Sequence, residues 1–416
     1  MELKKLINSN KYIFFHFIGL FGILFLLHFL QIIQLSNIFQ WDAGWYKSIV
    51  DNGYVFKENE QSNLAFYPLF PLFWKFLHVS YIGVSIYNLI LYLAALVIIN
   101  TVFKLGYKKT LIFASLPSMF FCFMPYSESL FLFFSTLFLV GYYQKKQWLI
   151  IVGLFFASIT RSVAPIFLVA IVFVELTSST FSIRGVLQKI KNIALYVSSV
   201  ILGICSVAVI QYLYTGKWFY FIEVQKYWGK QVSIPKIPFT TWDSNRLMWL
   251  DGISIIIGII SLGFIIHILY TWIRNTFVQN EYSKIFSFSI VYLFLVSLIT
   301  MLTSVVDGGS NTTSIYSLNR YVLAVPFMFP VIAHVFSNSF TIQNKWWFIA
   351  ALLVFVGVFL NNHNPLNTFI IVVFFGLTYM LAIKKSVEKY WYVLYSVNVI
   401  LQIVLIAWFT HGKWIG

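Results

Sequence analysis

The stretch IGVSIYNLILYLAALVIINTVF, residues 82–103, runs for 22 residues without a charged side chain. About 20 apolar residues in a helix are enough to cross the roughly 30 Å hydrocarbon layer of a bilayer, so the stretch predicts a membrane-spanning helix. The whole composition agrees with this prediction. Of the 416 residues, 60% are hydrophobic and 10% are charged, and a soluble core cannot bury so much apolar surface.

Similar apolar stretches recur on both sides of this one and predict about 13 membrane-spanning helices. The predicted fold class is therefore an all-α polytopic membrane protein, with one domain over residues 1–416. The predicted spans lie near residues 12–34, 82–103, 110–124, 129–143, 148–160, 162–178, 193–214, 251–273, 285–305, 321–336, 346–360, 367–383 and 391–410.

Residues 148–178 allow two interpretations. A single helix of this length would be about 46 Å long at 1.5 Å per residue, which is more than a bilayer core needs. Arg161 and Pro165 interrupt the apolar run. We therefore favour two shorter spans over one tilted helix.

The distribution of basic residues predicts the orientation. With a cytoplasmic N-terminus, 17 of the 28 Lys and Arg residues fall in inner segments, as the cytoplasmic retention of basic loops predicts. The formal net charge of +15 then suits anionic membrane lipids, and a nucleic-acid partner is not implied. The abundance of Lys, Ile, Asn and Phe suggests a bacterial cell membrane.

Two long outer segments, near residues 35–81 and 215–250, are rich in Trp and Tyr. Within the first, residues 64–77 are apolar but too short to span, which predicts an interfacial helix. Residues 39–71, FQWDAGWYKSIVDNGYVFKENEQSNLAFYPLFP, place Asp42 just after the first span. An acid at the membrane boundary suggests function. The alternative is that Asp42 only caps the start of a helix.

Several motifs resemble those of one enzyme family. Trp41-Asp42, Trp45-Tyr46, Gly53-Tyr54 and the run FYPLFP at residues 66–71 resemble the first-loop pattern of PIG-V-type mannosyltransferases, which are GT-C glycosyltransferases. The sequence departs from the GPI-anchor enzymes of that family at Gly44-Trp45-Tyr46, where they carry a His and a Phe. The further matches, in order, are PYSESLF at residues 125–131, Thr160-Arg161-Ser162, Gln211 with Gly216 and Phe221 ahead of Gln225 and Trp228, and Asn319-Arg320-Tyr321.

The resemblance implies a fold and a reaction. The fold would be a GT-C-like helical bundle with interfacial helices in the first outer loop. The reaction would be inverting transfer of mannose or a related hexose from a polyprenyl-phosphate carrier to an acceptor hydroxyl on the outer face. The acceptor could be a glycolipid, a wall polymer or a protein.

Elementary chemistry assigns roles to some of the matched residues. An acceptor hydroxyl needs a base, and Asp42, flanked by two indoles, is the best candidate. A departing lipid phosphate needs cations, and Arg161 and Arg320 lie at predicted outer helix ends. Lys226, Lys230 and Arg246 are lesser candidates for the phosphate. The residues that we expect to bind the sugar or the acceptor are Trp41, Trp45, Tyr46, Tyr126, Glu128, Gln225 and Trp228.

Each assignment has a structural alternative. Glu128 could simply begin a helix, where its charge meets the positive end of the helix dipole. Arg161 and Arg320 could anchor helix ends at the interface. A divalent metal ion would be compatible with this chemistry, but no ligand spacing indicates one. At the level of function, the alternatives are a transporter or flippase of lipid-linked sugars and a noncatalytic glycolipid-binding subunit.

Overall fold

The computed structural model describes residues 2–177, 183–242, 244, 246–274, 281–307, 312–337, 364–383 and 389–416. The α-helices in these ranges are α1 (Glu2–Phe29), α2 (Asp42–Asn52), α3 (Leu69–Leu77), α4 (Tyr81–Phe103), α5 (Tyr107–Ala114), α6 (Glu128–Gln144), α7 (Gln147–Ser158), α8 (Ala164–Thr177), α9 (Ile183–Thr215), α10 (Tyr220–Glu223), α11 (Trp249–Ile273), α12 (Glu281–Thr303), α13 (Leu318–Leu323), α14 (Met328–Val335), α15 (Pro365–Ile383) and α16 (Trp391–Thr410). Short 3-10 helices cover Leu35–Asn37, Asn63–Ala65, Pro117–Phe123 and Val224–Trp228.

Seven helices in the described ranges are long and apolar enough to cross a membrane, and an eighth span results if one bent pair counts as a unit. The prediction of an all-α polytopic membrane protein is thereby confirmed. The predicted span near residues 346–360 lies outside the described residues. The seven are Asn8–Phe29, Tyr81–Phe103, Val186–Thr215, Trp249–Ile273, Ser283–Thr303, Pro365–Ala382 and Trp391–Thr410.

Residues 148–177, the described part of the region 148–178, form two helices, α7 and α8, rather than one. Near the end of α8, Glu175 accepts hydrogen bonds from Tyr142 near the end of α6 (2.7 Å) and from Asn192 in the first part of α9 (3.4 Å). Because α6 and α7 are joined by a two-residue turn and pack on each other, α7 returns toward the start of α6, and α8 must then run in the opposite direction to reach the end of α6. The chain reverses at Arg161, as we favoured.

Two predicted spans are broken. In the region predicted as a span over 110–124, α5 ends at Ala114 and a 3-10 helix, Pro117–Phe123, meets α6 at an angle of 101°. The physical reason is Pro117 and Pro125, which cannot donate backbone hydrogen bonds in a continuous helix. The region predicted as a span over 321–336 is broken in the same way, between α13 and α14, at Pro326.

The two long loops are built around buried amides. Asn63 accepts a hydrogen bond from the Val55 N–H (2.9 Å) and donates to the Gly53 carbonyl (3.1 Å), which folds the chain after α2 back on itself. Gln211 near the end of α9 donates to the Leu64 carbonyl (2.7 Å) and accepts from the Phe221 N–H (2.6 Å). A single side chain therefore ties the first loop to the second.

A small sheet, absent from the sequence prediction, joins the second loop to the chain ahead of α13. Its strands are β1 (Thr240–Thr241), β2 (Val305–Asp307) and β3 (Thr312–Ile315), in the order β1-β3-β2. Strand β3 pairs with β1 in parallel and with β2 in antiparallel fashion. Since α13 follows β3 after two residues, the sheet fixes where α13 begins.

Candidate active site

Four charged side chains from distant parts of the chain meet at one end of the bundle. They are Asp42 at the start of α2, Glu128 at the start of α6, Arg161 between α7 and α8, and Arg320 in α13. Arg320 Nη1 lies 2.7 Å from Asp42 Oδ2, and Arg320 Nε lies 2.6 Å from Glu128 Oε1. Arg161 Nη1 lies 3.2 Å from the same Glu128 oxygen. We call these four residues the charged cluster.

The members of the charged cluster differ in burial. The side chain of Glu128 is fully buried, those of Arg320 and Arg161 are 3% and 5% exposed, and that of Asp42 is 18% exposed. Two cations balance two anions, which is the condition under which charges are tolerated away from water. Asp42 is the member that faces outward, so it is the one that an external molecule can reach.

Asp42 is the first residue of α2 and not its cap. The capping position is occupied by Trp41, whose side chain makes no capping hydrogen bond and whose backbone lies at φ 49°, ψ −113°. Residues other than glycine rarely adopt this conformation, and such strain is often found at functional sites. The Asp42 carboxylate is therefore directed to Arg320, while the Trp41 ring meets Trp414 edge-on at 5.1 Å.

Aromatic rings form a wall on the α2 side of the charged cluster. Trp45 in α2 stacks on Phe66 at 6.2 Å, with an angle of 14° between the rings, and meets Trp228 edge-on at 5.0 Å. Buried indole N–H groups usually have a partner, yet the Trp228 Nε1 has none among the described residues. Gln225 is half-buried in the 3-10 helix that carries Trp228. We call Trp45, Phe66 and Trp228 the aromatic wall.

The two tyrosines expected to bind sugar lie inside the protein. Tyr46 donates a hydrogen bond to Ser127 Oγ, and Tyr126 donates to the Gln40 carbonyl, both at 2.9 Å. Burial, reinforced by the negative charges of Glu128 and Asp42, raises the pKa of Tyr46, which keeps its hydroxyl protonated. The structure thus places both rings beneath the charged cluster.

Arg161 has a less complete set of contacts than Arg320. Its guanidinium carbon lies 4.1 Å from the centre of the Tyr321 ring, in cation–π geometry. Its Nη1 is close to Glu128 but makes no aligned hydrogen bond, and Glu128 Oε2 also lacks a partner among the described residues. Buried polar atoms without hydrogen-bond partners are costly, so a ligand that supplied the missing partners would bind favourably.

A cleft of about 170 Å³ lies next to Arg161. Polar side chains, including Ser162, Lys230 and Tyr316, line part of it together with Tyr321. Burial raises the pKa of Tyr316, so its hydroxyl is neutral and able to donate a hydrogen bond. The apolar part of the lining comes from α8, from the residue that precedes it and from α12: Val163, Pro165, Ile166, Val296 and Ile299.

Two residues that orient the charged cluster were missed by the sequence reasoning. Asn88 in α4 donates hydrogen bonds to the carbonyls of Met124 (2.6 Å) and Tyr126 (3.0 Å), which fixes the turn that precedes Glu128. Asp251 in α11 accepts from the Asn319 backbone N–H and side chain, both at 3.1 Å, which fixes the residue before Arg320.

The signal for Asp251 was present, since an acid in the first turn of an otherwise apolar span is unusual. A lone Asn within an apolar helix, as at position 88, is a weaker signal.

Across the described ranges, no three His, Cys, Asp or Glu side chains come close enough to hold a metal ion. Both carboxylates of the charged cluster are instead paired with arginine. Comparison of the chain with protein-family models, with curated proteins and with solved structures gives no match.

Proposed function

We propose that the chain is an inverting glycosyltransferase of the GT-C type, moving mannose or a related hexose from a polyprenyl-phosphate carrier to an acceptor hydroxyl. The observation that carries the proposal is the position of Asp42. Its carboxylate is partly exposed, is held by Arg320 at 2.7 Å, and lies in the helix that contributes Trp45 to the aromatic wall. A partly exposed carboxylate beside indole rings supports this role, because it can take the acceptor proton while the rings pack on a sugar.

In the proposed reaction, the acceptor oxygen attacks the anomeric carbon as Asp42 removes the hydroxyl proton. The bond between that carbon and the phosphate oxygen breaks, and its electron pair leaves with the polyprenyl phosphate. Attack from the opposite side inverts the configuration at the anomeric carbon. Arg320 keeps the Asp42 carboxylate in a fixed orientation throughout, because it holds Glu128 with its Nε and Asp42 with its Nη1.

The cleft beside Arg161 suits the carrier. Lys230, Ser162 and Tyr316 offer a cation and hydroxyl donors for a phosphate, and the apolar lining from α8 and α12 suits a prenyl chain. Arg161 supplies a second cation behind the lining, because it precedes Ser162 in the chain and packs on Tyr321. Arg320 was also expected to bind phosphate. Since its Nε and Nη1 are bound to carboxylates, we propose that the main role of Arg320 is to position Asp42.

The proposal includes the finer topology. It places about 13 crossings in a bacterial cell membrane, with a cytoplasmic N-terminus and the active site on the outer face. The acceptor is a glycolipid, a wall polymer or a protein, and Trp41, Trp45, Gln225 and Trp228 would contact the transferred sugar or this acceptor. Trp41 is 39% exposed, which supports such a contact.

The test is a transfer assay with purified protein in liposomes. The donor is polyprenyl-phosphate mannose labelled in the sugar, and the acceptor is a short alkyl mannoside. We expect label to move to the acceptor with inversion, and the Asp42→Asn variant to transfer it about 10²- to 10⁴-fold more slowly. If lipid-linked donors carrying mannose, glucose and galactose all remain unconsumed, the proposal is refuted. Passage of intact donor across the bilayer would favour a flippase, and binding without transfer a noncatalytic subunit.

A further inference from the structure

The last residues of the sequence enter the candidate active site. After α16 the chain turns at Gly412, which has φ 76°, and residues 413–416 return toward α13. Ile415 is 1% exposed, and Gly416 is also buried. We call residues 414–416 the tail segment.

The tail segment contacts Arg320 and the residues that precede both partners of the ion pair between Arg320 and Asp42. On one side, the Trp414 ring meets Trp41, the residue before Asp42. On the other side, the Ile415 carbonyl accepts a hydrogen bond from Asn319 Nδ2 at 2.9 Å. The Gly416 backbone oxygen accepts one from Arg320 Nη1 at 3.2 Å, and this is the same nitrogen that binds Asp42.

We infer that the tail segment is a positioning element that sets the orientation of Arg320, and through it the carboxylate of Asp42. The role in catalysis rests on the proposed function, but the positioning itself does not. The two carboxylates bind Nε and Nη1 of this guanidinium. The Gly416 backbone oxygen is a third acceptor that restricts its orientation further, because the fork of an arginine binds in a defined geometry.

The fit at Gly416 leaves no room for a larger residue. A Cβ at this position would lie 2.9 Å from Asn319 Nδ2, 3.0 Å from Asn319 Oδ1 and 3.1 Å from Arg320 Cδ. Asn319 cannot easily move away, because its amide is bonded to Asp251 (3.1 Å) and to Ser118 (2.9 Å). The Gly416→Ala substitution must therefore displace either the tail segment or the Asn319-Arg320 pair.

The experiment measures the accessibility of Arg320 with the arginine reagent phenylglyoxal, read at each arginine by peptide mass spectrometry. The wild-type protein in detergent is compared with Gly416→Ala. We expect Arg320 to be protected in the wild-type protein and its modification rate to rise about tenfold to a hundredfold in Gly416→Ala. This is the range for losing one hydrogen bond to a charged group. Arg246, which is exposed, gives the modification rate of an accessible arginine in the same sample.

Lys413→Ala is the matched control, because Lys413 lies in the same stretch but its side chain is exposed. Equal protection of Arg320 in Gly416→Ala and wild type would overturn the inference, as would the same rise in Lys413→Ala. The transfer assay adds a second result, a lower kcat with little change in KM for Gly416→Ala. If the wild-type protein shows no transfer, the proposed function fails while the labelling result still decides the positioning role.

Discussion

The two carboxylates of the charged cluster share one arginine but differ in their surroundings. Glu128 is fully buried and is paired with both Arg320 and Arg161. Asp42 is 18% exposed and is paired with Arg320. Glu128 is therefore compensated by two cations away from water, whereas Asp42 keeps access to the outside. The comparison separates a carboxylate that holds the site together from one that is available for chemistry.

The physical basis of this difference is desolvation. Removing one partner of a buried ion pair leaves an uncompensated charge and costs about 3–5 kcal/mol. That argument applies fully to Glu128. It applies less to Asp42, because Arg320 stays paired with Glu128 when the Asp42 charge is lost, whereas loss of the Glu128 charge removes the carboxylate that Arg161 contacts. The same substitution should therefore change stability at one position and turnover at the other.

The largest effect that we expect is on turnover in Asp42→Asn. The amide keeps the shape of the side chain but cannot remove the proton from the hydroxyl of the acceptor. Loss of a general base lowers kcat by about 10²- to 10⁴-fold. The thermal unfolding midpoint should change little. The matched control is Asp51→Asn, an exposed acid at the end of the same helix. Wild-type turnover in Asp42→Asn would remove the assignment of the base.

The next largest effect is on stability in Glu128→Gln. The change leaves Arg161 and Arg320 with one anion between them, so the free energy of unfolding should fall by about 3–5 kcal/mol. Thermal unfolding in detergent would show this loss as a lower midpoint. Glu60→Gln is the control, since Glu60 is 67% exposed and lies near Lys57 at the surface. A midpoint equal to that of the wild type would mean that Glu128 is not the structural carboxylate.

A smaller effect is expected for Lys230→Ala in the cleft. Losing a charged partner for the carrier phosphate should raise KM for the lipid-linked donor about tenfold, and kcat should change less. The measurement is initial rate against donor concentration. Lys226→Ala is the matched control, because Lys226 is exposed and lies near Glu223 at 3.8 Å, away from the cleft lining. If both variants raise KM equally, the cleft is not the carrier site.

The smallest effect is expected for Trp228→Phe, which deletes the unpartnered Nε1 and keeps an aromatic ring. One neutral hydrogen bond to the substrate is worth a change of about twofold to tenfold in KM for the acceptor. Trp218→Phe is the control, since Trp218 is 56% exposed and stacks on Tyr212. An unchanged KM in Trp228→Phe would show that the indole N–H does not contact the acceptor.

Sequence reasoning predicted much of the fold because the bilayer sets the length of an apolar helix. It failed where proline interrupts an apolar run, as at Pro117, since hydropathy does not report helix breaks. It also missed the sheet that includes β1 and β3, whose strands are two and four residues long and far apart in the chain. Such short pairings depend on tertiary contacts that no local pattern encodes.

For the site, the sequence supplied the four charged residues but not their pairing. Arg320 is separated from Asp42 by 278 positions and from Glu128 by 192, so only the folded bundle shows that one guanidinium serves both carboxylates. The aromatic residues were harder to sort. Tyr46 and Trp45 are neighbours in α2, yet one ring points inward to Ser127 and the other belongs to the aromatic wall.

The balance of two positive and two negative side chains has a further consequence for the proposed reaction. When the acceptor proton reaches Asp42, that residue becomes neutral and the group as a whole acquires one unit of positive charge. In the same step the departing prenyl phosphate changes from a diester with one negative charge to a monoester with up to two. Removal of the acceptor proton would thus increase the positive charge of the cluster at the moment when the leaving phosphate becomes more negative. The resulting attraction would stabilise the leaving group without any movement of the protein.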